Sequence, residues 1–407
     1  MGMIHINNLE SGMVLADEVR DINGRLLLGK GKSVQPDHLR IFKIWGITEV
    51  NIFGNNGNKE DAKPNLDQEQ IEKIKDSTLQ VFIHNDLKHP AIKEIFRLSV
   101  LYRNENEYSG TDSNMQVDQV GSEENVDKKN WPQKLNMANI TLPEVPSTVF
   151  ELNEVIANPL STADDIAQVV QKSPSLTARL LKIVNSTFYG IPSKIDKISS
   201  AVMLLGTKEI VSLVLGISII STFENIPKKI VDMFSFLKHS IACGIISRML
   251  ATHMGIPQTE QFFVSGLLHD IGRLIIYSNF PEDSYNILQR SQTTNILLYE
   301  IERDYFGCNH SDVAKHLMQQ WKLPISLENN VFYHHNPSEA QRQVAATIIH
   351  LADIITHGLG IGTSGERFVP PLDNEAWNAL KLSPTCFDVF VQQALHQFVA
   401  FEPILGN

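Results

Sequence analysis

Cysteine and clustered positive charge are both scarce in this sequence of 407 residues. Its three cysteines, Cys243, Cys308 and Cys386, are widely separated and odd in number. They support neither a disulfide framework nor a cysteine-based zinc site, and they are typical of a reducing compartment. Lys and Arg number 35 against 46 Asp and Glu, which gives a net charge of −11. Because nucleic-acid surfaces need clustered basic residues, we expect no nucleic-acid partner.

Long hydrophobic runs are also missing. The longest apolar stretch, residues 210–223, is interrupted by serine and glycine. It falls short of the roughly 20 residues that a membrane-spanning helix needs, so it predicts a buried helix instead. The N-terminus lacks a basic segment followed by an apolar run, which is the pattern of a secretory leader. We therefore expect a cytoplasmic protein without a membrane partner.

The negative charge is concentrated between residues 104 and 127. Seven acidic residues and no Lys or Arg lie there, among many Ser, Gly and Asn residues. Such a segment has too little apolar surface to offset the entropy lost on ordering. We predict a flexible acidic linker over residues 105–134.

Two units are predicted ahead of this linker. Within residues 1–55, short apolar runs flank the turn signal Asn23-Gly24, which favours a hairpin. A helix over residues 36–45 and a strand over residues 49–53 follow, so the unit is predicted to be a small α/β module. Within residues 66–104, apolar residues recur at helical spacing on both sides of Pro90, which predicts a helical segment of two helices.

After the linker the pattern is helical almost to the end of the chain. Ser161 is placed to cap one helix, and Pro174 is placed to stop it. Between residues 142 and 358 no alternating strand pattern has comparable strength, so we expect an all-α domain over residues 135–360. Residues 361–407 are predicted to be a C-terminal helical extension. The core positions expected on the second helix are Leu176, Leu180, Leu181 and Val184.

A series of short motifs lies within this helical region. Leu-Pro-Glu-Val-Pro stands at 142–146, Ser-Pro-Ser-Leu-Thr-Ala-Arg-Leu-Leu at 173–181, Val-Asn-Ser-Thr-Phe-Tyr-Gly at 184–190 and Gly-Leu-Leu-His-Asp-Ile-Gly-Arg at 266–273. In order and spacing these motifs resemble those of the HDOD family, relatives of the HD metal-dependent phosphohydrolases. The resemblance covers about residues 135–360 and implies an all-helical domain in bacterial signal transduction. Residues 4–53 are similar to a small domain that precedes HD-GYP phosphodiesterase domains.

The resemblance also implies a set of metal ligands. The family pattern of His, then His-Asp, then Asp can be matched in this sequence, and further His residues stand where the HD-GYP branch has additional ligands. Imidazole and carboxylate suit borderline divalent metals such as Fe, Mn or Zn. The candidate ligands are His239, His269, Asp270, His310, His334, His335 and Asp353.

Residue chemistry leaves alternatives for these candidates. A His on an apolar helix, such as His239, is more often a hydrogen-bonded core residue than a ligand. Asp270 lies in an apolar run, where a buried carboxylate needs a counter-charge, either a metal or an Arg. His334-His335 could instead end a helix, where a cationic His is favourable. His350 and His357 share a helix face with Asp353, and we interpret them as surface residues or as residues that support a ligand.

Departures from the HD-GYP pattern determine the predicted function. Arg273 stands where those enzymes have Lys, keeps the positive charge and is a candidate phosphate contact. Asn-Pro-Ser-Glu at 336–339 replaces the Gly-Tyr-Pro signature, so elements implied to shape a cyclic-di-GMP site are missing. We therefore favour a non-catalytic regulator that binds signalling proteins, through surfaces around residues 173–190, or a cyclic dinucleotide. The alternative is a metal-dependent phosphodiesterase or phosphohydrolase acting on a nucleotide.

Overall fold

The structure is a computed structural model that describes residues 2–6, 9–20, 26–44, 47, 49–53, 68–106, 140–158, 160–186, 189, 191, 194–223 and 226–405. Within these ranges the strands lie before residue 54, and every regular element from residue 68 onward is a helix. The predicted fold class, mainly α with a small α/β module in front, is confirmed. The turn at Asn23-Gly24 and linker residues 107–134 lie outside the described residues. No helix in the described ranges has both the length and the apolarity to cross a membrane.

In its described residues, the N-terminal module has four short strands, one helix and a core of its own. Strand β1 (Gly2–His5) pairs antiparallel with β4 (Glu49–Ile52), and β2 (Val19–Arg20) pairs antiparallel with β3 (Leu26–Leu28). Helix α1 (Pro36–Ile44) begins at a proline, whose fixed φ suits the first turn. The module core is formed by Ile6, Leu9, Leu15, Val19, Val34, Phe42, Val50 and Ile52.

Helices make up the rest of the described chain. They are α2 (Gln68–Val81), α3 (Pro90–Glu105), α4 (Ser147–Ala157), α5 (Ala163–Gln171), α6 (Pro174–Val184), α7 (Ile198–Leu205), α8 (Thr207–Ile220), α9 (Met233–His253), α10 (Glu260–Leu268), α11 (Ile271–Asn279), α12 (Pro281–Thr293), α13 (Leu298–Phe306), α14 (His310–Gln320), α15 (Ile325–Phe332), α16 (Gln343–Leu359), α17 (Asn374–Leu380) and α18 (Phe387–Leu405). The long helix α9 packs against α10, α16 and α18. Helix α8 carries most of the predicted buried run and is buried along most of its length.

Helices α2 and α3 share a core with the helices that follow the predicted linker. The backbone of Gly358 in α16 lies so close to α3 that an added Cβ would come within 2.8 Å of Ser99 Oγ. The guanidinium of Arg103 donates a hydrogen bond of 3.1 Å to the carbonyl of Gly358. Asn85 Nδ2 donates to the carbonyl of Val369 at 2.9 Å. The helical segment before the linker therefore packs directly on α16 and on the chain that follows it.

The predicted cap of α5 is one residue too early. Thr162, not Ser161, is the N-cap, and its N–H donates to the Asp165 carboxylate at 2.7 Å while Asp165 N–H donates to Thr162 Oγ1. Both Ser161 and Thr162 have an Asp three residues later, so the spacing could not distinguish them. Pro174 opens α6 rather than ending α5, because Ser173 Oγ caps α6 by accepting from Leu176 N–H.

The predicted core of α6 is largely confirmed. Leu176, Leu180 and Val184 are buried, whereas Leu181 is partly buried and packs against the core from outside. Ile183, which the prediction did not include, is buried as well. The helical spacing therefore predicted the buried face of α6 correctly, except for one residue at its edge.

The loop after α6 is organised by two residues of the 184–190 motif. Asn185 Oδ1 accepts from Ile195 N–H at 2.7 Å, and Asn185 Nδ2 donates to the carbonyl of Ile195 at 2.7 Å. Tyr189 donates its hydroxyl proton to Glu260 at 2.9 Å, and Arg248 pairs with the same carboxylate at 2.8 Å. Asn185 therefore joins the end of α6 to Ile195, and Tyr189 contacts the carboxylate at the start of α10 that also pairs with Arg248 of α9.

Candidate metal centre

All seven predicted metal ligands come together at one place in the helical body. They lie on α9, at the break between α10 and α11, at the start of α14, after the end of α15 and within α16. Every one of them except His335 is buried. Their residues, in that order, are His239, His269 with Asp270, His310, His334 with His335, and Asp353.

Close backbone contacts position the ligands at the break after α10. Gly272, two residues after Asp270, touches the carbonyl of His310 so closely that no Cβ could fit there. A Cβ at Gly266 would meet the backbone of Cys243 at 2.8 Å. The two glycines of this motif therefore allow α9 and the start of α14 to approach the His269-Asp270 pair.

The first group of ligands contains two imidazoles and two carboxylates. His239 Nε2 lies 3.3 Å from His269 Nε2 and 3.2 Å from Asp353 Oδ1. His269 Nε2 lies 3.3 Å from Asp353 Oδ1 and 3.3 Å from Asp270 Oδ2. Nitrogen and oxygen ligands lie about 2.0–2.2 Å from a transition metal, so neighbours around one ion are about 3.0–3.5 Å apart. His239 Nε2 and Asp270 Oδ2 are wider apart, at 3.8 Å, and the other separations of this group fit one ion.

The second group contains three imidazoles and the other oxygen of Asp270. His310 Nε2 lies 3.0 Å from Asp270 Oδ1, 3.4 Å from His334 Nε2 and 3.1 Å from His335 Nε2. These distances also fit the ligands of a single ion. Because Oδ2 of Asp270 belongs to the first group and Oδ1 to the second, this one carboxylate joins the two groups.

Hydrogen bonds on the far side of three imidazoles turn their Nε2 atoms toward the centre. His269 Nδ1 donates to the carbonyl of Gly266 at 2.7 Å, and His334 Nδ1 donates to the carbonyl of Val331 at 2.6 Å. His310 Nδ1 lies 2.6 Å from Glu302. Carboxylate and carbonyl partners of this kind fix the tautomer of a metal-binding His and make it a stronger ligand.

Burial keeps some of the imidazoles neutral, the form that binds metals. Burial lowers the pKa of His239 to about 4 and that of His334 to about 3, and it also holds the pKa of His335 well below its ordinary value. His269 and His310 behave differently. Burial lowers their pKa values too, but the carboxylates of Asp270 and Glu302 respectively outweigh it and raise them.

The carboxylates are held ionised in spite of burial. Burial raises the pKa of Asp270, but the charge of Arg273 outweighs it and brings that pKa well below the usual range. His357 has the same effect on the pKa of Asp353, and its Nδ1 lies 2.8 Å from Asp353 Oδ1. Anionic oxygens and imidazole lone pairs thus converge, and such a donor set fits a divalent transition metal.

Arg273 does not face an open site. Its side chain is 1% exposed, and its guanidinium lies 3.5 Å from Asp270, 3.2 Å from Glu302 and 3.7 Å from Glu366. It also donates to Ser364 Oγ at 2.6 Å. The counter-charge predicted for Asp270 is therefore present as an arginine beside the ligands, and this burial leaves Arg273 no free donor pointing toward solvent for the predicted phosphate contact.

Several residues of the site were missed or misplaced in the sequence analysis. His350 and His357 are buried, so their interpretation as surface residues was wrong, whereas their interpretation as supporting residues agrees with their contacts. His350 Nδ1 donates to the carbonyl of His334 at 2.7 Å. Glu302 and Glu366, which hold His310 and Arg273, had no signal in the sequence pattern. Cys243 also lies beside His269 and Asp353, within reach of the first group.

A small polar cavity of about 120 Å³ leads to the second group. It is lined by His335 and by Arg303, Asn309 and Ser311, among others. Ser311 Oγ is buried and has no hydrogen-bond partner among the described residues. A cationic side chain and a buried hydroxyl beside His335 of the second group are features that suit an anionic oxygen group.

Comparisons with known proteins agree with the motifs. Residues 142–337 match the HDOD domain family model, a range that includes six of the seven candidate ligands and ends before Asp353. The predicted resemblance is confirmed. An uncharacterized protein of Treponema pallidum (strain Nichols) is 24% identical over 212 residues, which are 52% of this chain and 41% of that protein. The chain therefore spans less than half the length of this relative.

Two solved structures share the fold. One, from Shewanella amazonensis SB2B, has a name that suggests a phosphohydrolase; it superposes with a TM-score of 0.54 at 22% identity over 65% of this chain and 95% of its own. The other, from Marinobacter aquaeolei VT8, has a name that suggests a signal transduction protein; its TM-score is 0.53 at 22% identity over 69% of this chain and 64% of its own. At this identity the similarity concerns the fold alone.

Proposed function

We propose, on the premise that residues 142–337 form an HDOD domain, that this domain is a dinuclear metal-dependent phosphohydrolase within a signal transduction protein. One observation carries the proposal. Asp270 directs its two oxygens to two separate groups of ligands, each with the spacing of a single ion. This arrangement is typical of two-metal hydrolytic sites, in which a carboxylate bridges the ions. It favours the enzyme, which the sequence analysis placed second.

The residues of such a site would have different roles. Two bound ions would activate water and neutralise the charge of a phosphoryl group. Asp270 would hold the ions at a fixed separation, and Glu302 would keep His310 oriented through its Nδ1. Arg303 and Ser311 would bind the oxygens of the entering phosphoryl group at the mouth beside His335.

The size of the mouth limits the substrate. Pockets that enclose drug-sized ligands occupy roughly 300–1,000 Å³, well above the 120 Å³ of this cavity. A small phosphomonoester, or one phosphoryl end of a larger molecule, fits this mouth better than a whole cyclic dinucleotide.

A non-catalytic regulator is the second candidate, and burial favours it. Six of the seven candidate ligands are at most 3% exposed, so little of the centre reaches solvent. In such a protein the ions would stabilise the fold, since they offset the cost of burying Asp270 and Asp353. Its surfaces would then act on signalling proteins.

Metal content and hydrolysis, measured together, test the proposal. Full-length protein purified without chelator is analysed for Fe, Mn and Zn, and is then assayed with small phosphomonoesters, nucleotides and cyclic-di-GMP. We expect two ions per chain and turnover above roughly 1 s⁻¹ on at least one small phosphomonoester. His310→Gln should abolish turnover, whereas His316→Gln, the same change on the same helix, should not. Two ions with no turnover on any compound would favour the regulator.

A further inference from the structure

A second cavity, separate from the metal centre, lies where three helices begin or pass one another. Its volume is about 360 Å³, and its lining comes from α10, α15, the start of α16 and Ile256 in the loop before α10. The lining is mostly apolar and contains Phe262 and no acidic residue. Its volume lies at the lower end of the roughly 300–1,000 Å³ of small-molecule sites. The cavity is therefore large enough for one small ligand.

Asn330, one of the residues that line this cavity, has a buried hydrogen-bond acceptor that the described residues do not pair. Asn330 is 1% exposed, and its Oδ1 has no hydrogen-bond partner among the described residues. The orientation of this amide follows from its neighbours. Ser265 donates its hydroxyl proton to the carbonyl of Gln261 at 2.7 Å, so Ser265 Oγ can only accept from Asn330 Nδ2, which lies 3.1 Å away. An unpaired buried acceptor costs stability, and a ligand with an N–H donor would satisfy it.

The other end of the cavity is positive. It is formed by the N-terminus of α16, where Gln343, Val344 and Ala345 line the cavity and where the positive end of the helix dipole attracts anions; Ala345 N–H itself donates to the carbonyl of Arg342 at 3.1 Å. The N-cap residue, Arg342, makes no capping hydrogen bond with its side chain and adds a cation. The helix is 17 residues long, so its dipole is fully developed at this end.

We propose that this cavity binds a nucleoside monophosphate. The phosphate would lie against the start of α16 and Arg342, and the base would lie between the apolar walls with an N–H directed at Asn330 Oδ1. The amides of Gln261 and Gln343 also line the cavity and offer further donors and acceptors to a base. The volume of about 360 Å³ lies within the range of sites that hold one small ligand. This site does not depend on the proposed catalytic function.

The ligand would contact three helices that lead to the metal centre. Helix α10 ends just before His269 and Asp270, α15 ends just before His334 and His335, and α16 carries Asp353. Asn330 is four residues before His334, about 6 Å along a helix. Five of the seven candidate ligands therefore lie on, or directly after, helices that the nucleotide would contact. We expect nucleotide binding to hold these helices together and so to raise the affinity for metal ions.

Calorimetry with the full-length chain tests the site. The probes are AMP, GMP and CMP, together with ribose 5-phosphate and adenosine, which lack the base and the phosphate respectively. At least one nucleotide should bind with one site per chain, and both fragments should bind at least about tenfold more weakly. Failure of all three nucleotides to bind below 1 mM, or equal binding of ribose 5-phosphate, would overturn the proposal.

Two exposed substitutions locate the binding. Arg342→Gln removes a charge-assisted contact and should weaken the nucleotide about ten- to hundredfold, whereas Lys208→Gln, the same change on the exposed start of α8, should have no effect. His335→Gln in the metal centre, compared with the wild type in excess chelator so that neither protein holds a metal ion, should leave nucleotide affinity unchanged. If His335→Gln abolishes binding and Arg342→Gln does not, the nucleotide binds at the metal centre and the proposal fails.

The coupling has its own measurement. Because coupling between two sites is reciprocal, the nucleotide should tighten the binding of Mn²⁺ in competition with a chelator in the wild type but not in Arg342→Gln. An unchanged Mn²⁺ affinity in the wild type would show that the three helices do not transmit the effect.

Discussion

The two halves of the HDOD region use their motif residues for different purposes. In the first half, α4–α8, Asn185 and Tyr189 bind backbone groups and a carboxylate, and their hydrogen bonds are complete within the protein. In the second half, α9–α16, the motif residues face one another, and lone pairs of His239, His269 and Asp353 converge within 3.3 Å. Side chains with satisfied hydrogen bonds need no ligand, whereas converging acceptors need a cation or protons. Asn185 and Tyr189 therefore stabilise the fold of the first half, whereas the second half has the geometry of a candidate metal centre.

The largest expected effect is a loss of metal ions from the second half, with the first half unchanged. Asp270→Asn keeps the shape of the side chain but removes the charge that the two ligand groups share, so we expect metal content to fall from two ions per chain to nearly none. His335→Gln is the matched comparison, since it should cost only the ion of the second group. Elemental analysis of both variants measures this. Retention of two ions in Asp270→Asn would show that the carboxylate does not bridge.

A core substitution in the first half should lower stability and leave the metal content of the second half unchanged. Leu180 is fully buried in α6, so Leu180→Ala should lower the free energy of unfolding by about 2–5 kcal/mol through lost burial and a cavity. Leu181→Ala, on the partly buried edge of the same helix, should cost less. Chemical denaturation gives the stabilities and elemental analysis the metal content. Loss of metal in Leu180→Ala would mean that the halves are less independent than we infer.

The smallest expected effect concerns the contact between the halves. Tyr189→Phe removes the hydroxyl that donates to the buried Glu260, which should lower the free energy of unfolding by about 1–3 kcal/mol. Tyr285→Phe is the control, because Tyr285 is 36% exposed and its hydroxyl bonds to an exposed Gln289. Equal stability of the two variants would show that the Tyr189 contact does not hold the loop to α10.

The sequence predicted the side chains of the centre better than their surroundings. The grouping of the candidate ligands could be predicted because His and Asp at fixed spacing match the family pattern, and helix breaks bring several of them to helix ends. The spacing of Asp353 and His357, four residues apart, did indicate a shared face, but not that both would be buried.

The supporting residues could not be predicted in the same way. Glu302 lies on helix α13, and Glu366 lies in a loop. Neither the spacing nor the composition of these segments distinguishes the two residues from other acidic residues. Their roles depend on where α13 and that loop pack against Arg273, which is a property of the tertiary fold. Arg273 itself was interpreted from its similarity to a phosphate-binding Lys, and only the packing revealed its three acidic neighbours.

The packing of α2 and α3 on the later helices affects how this chain can be divided. Phe82, Ile92 and Ile95 are almost fully buried in the core that continues into α16. In sequence, residues 107–139 separate these three residues from the helices that complete this core. A recombinant fragment that starts at the HDOD boundary would therefore expose an apolar groove along α16 and would tend to aggregate. By the same contacts, a protease that cuts between α3 and α4 would leave two pieces that remain bound and separate only in denaturant.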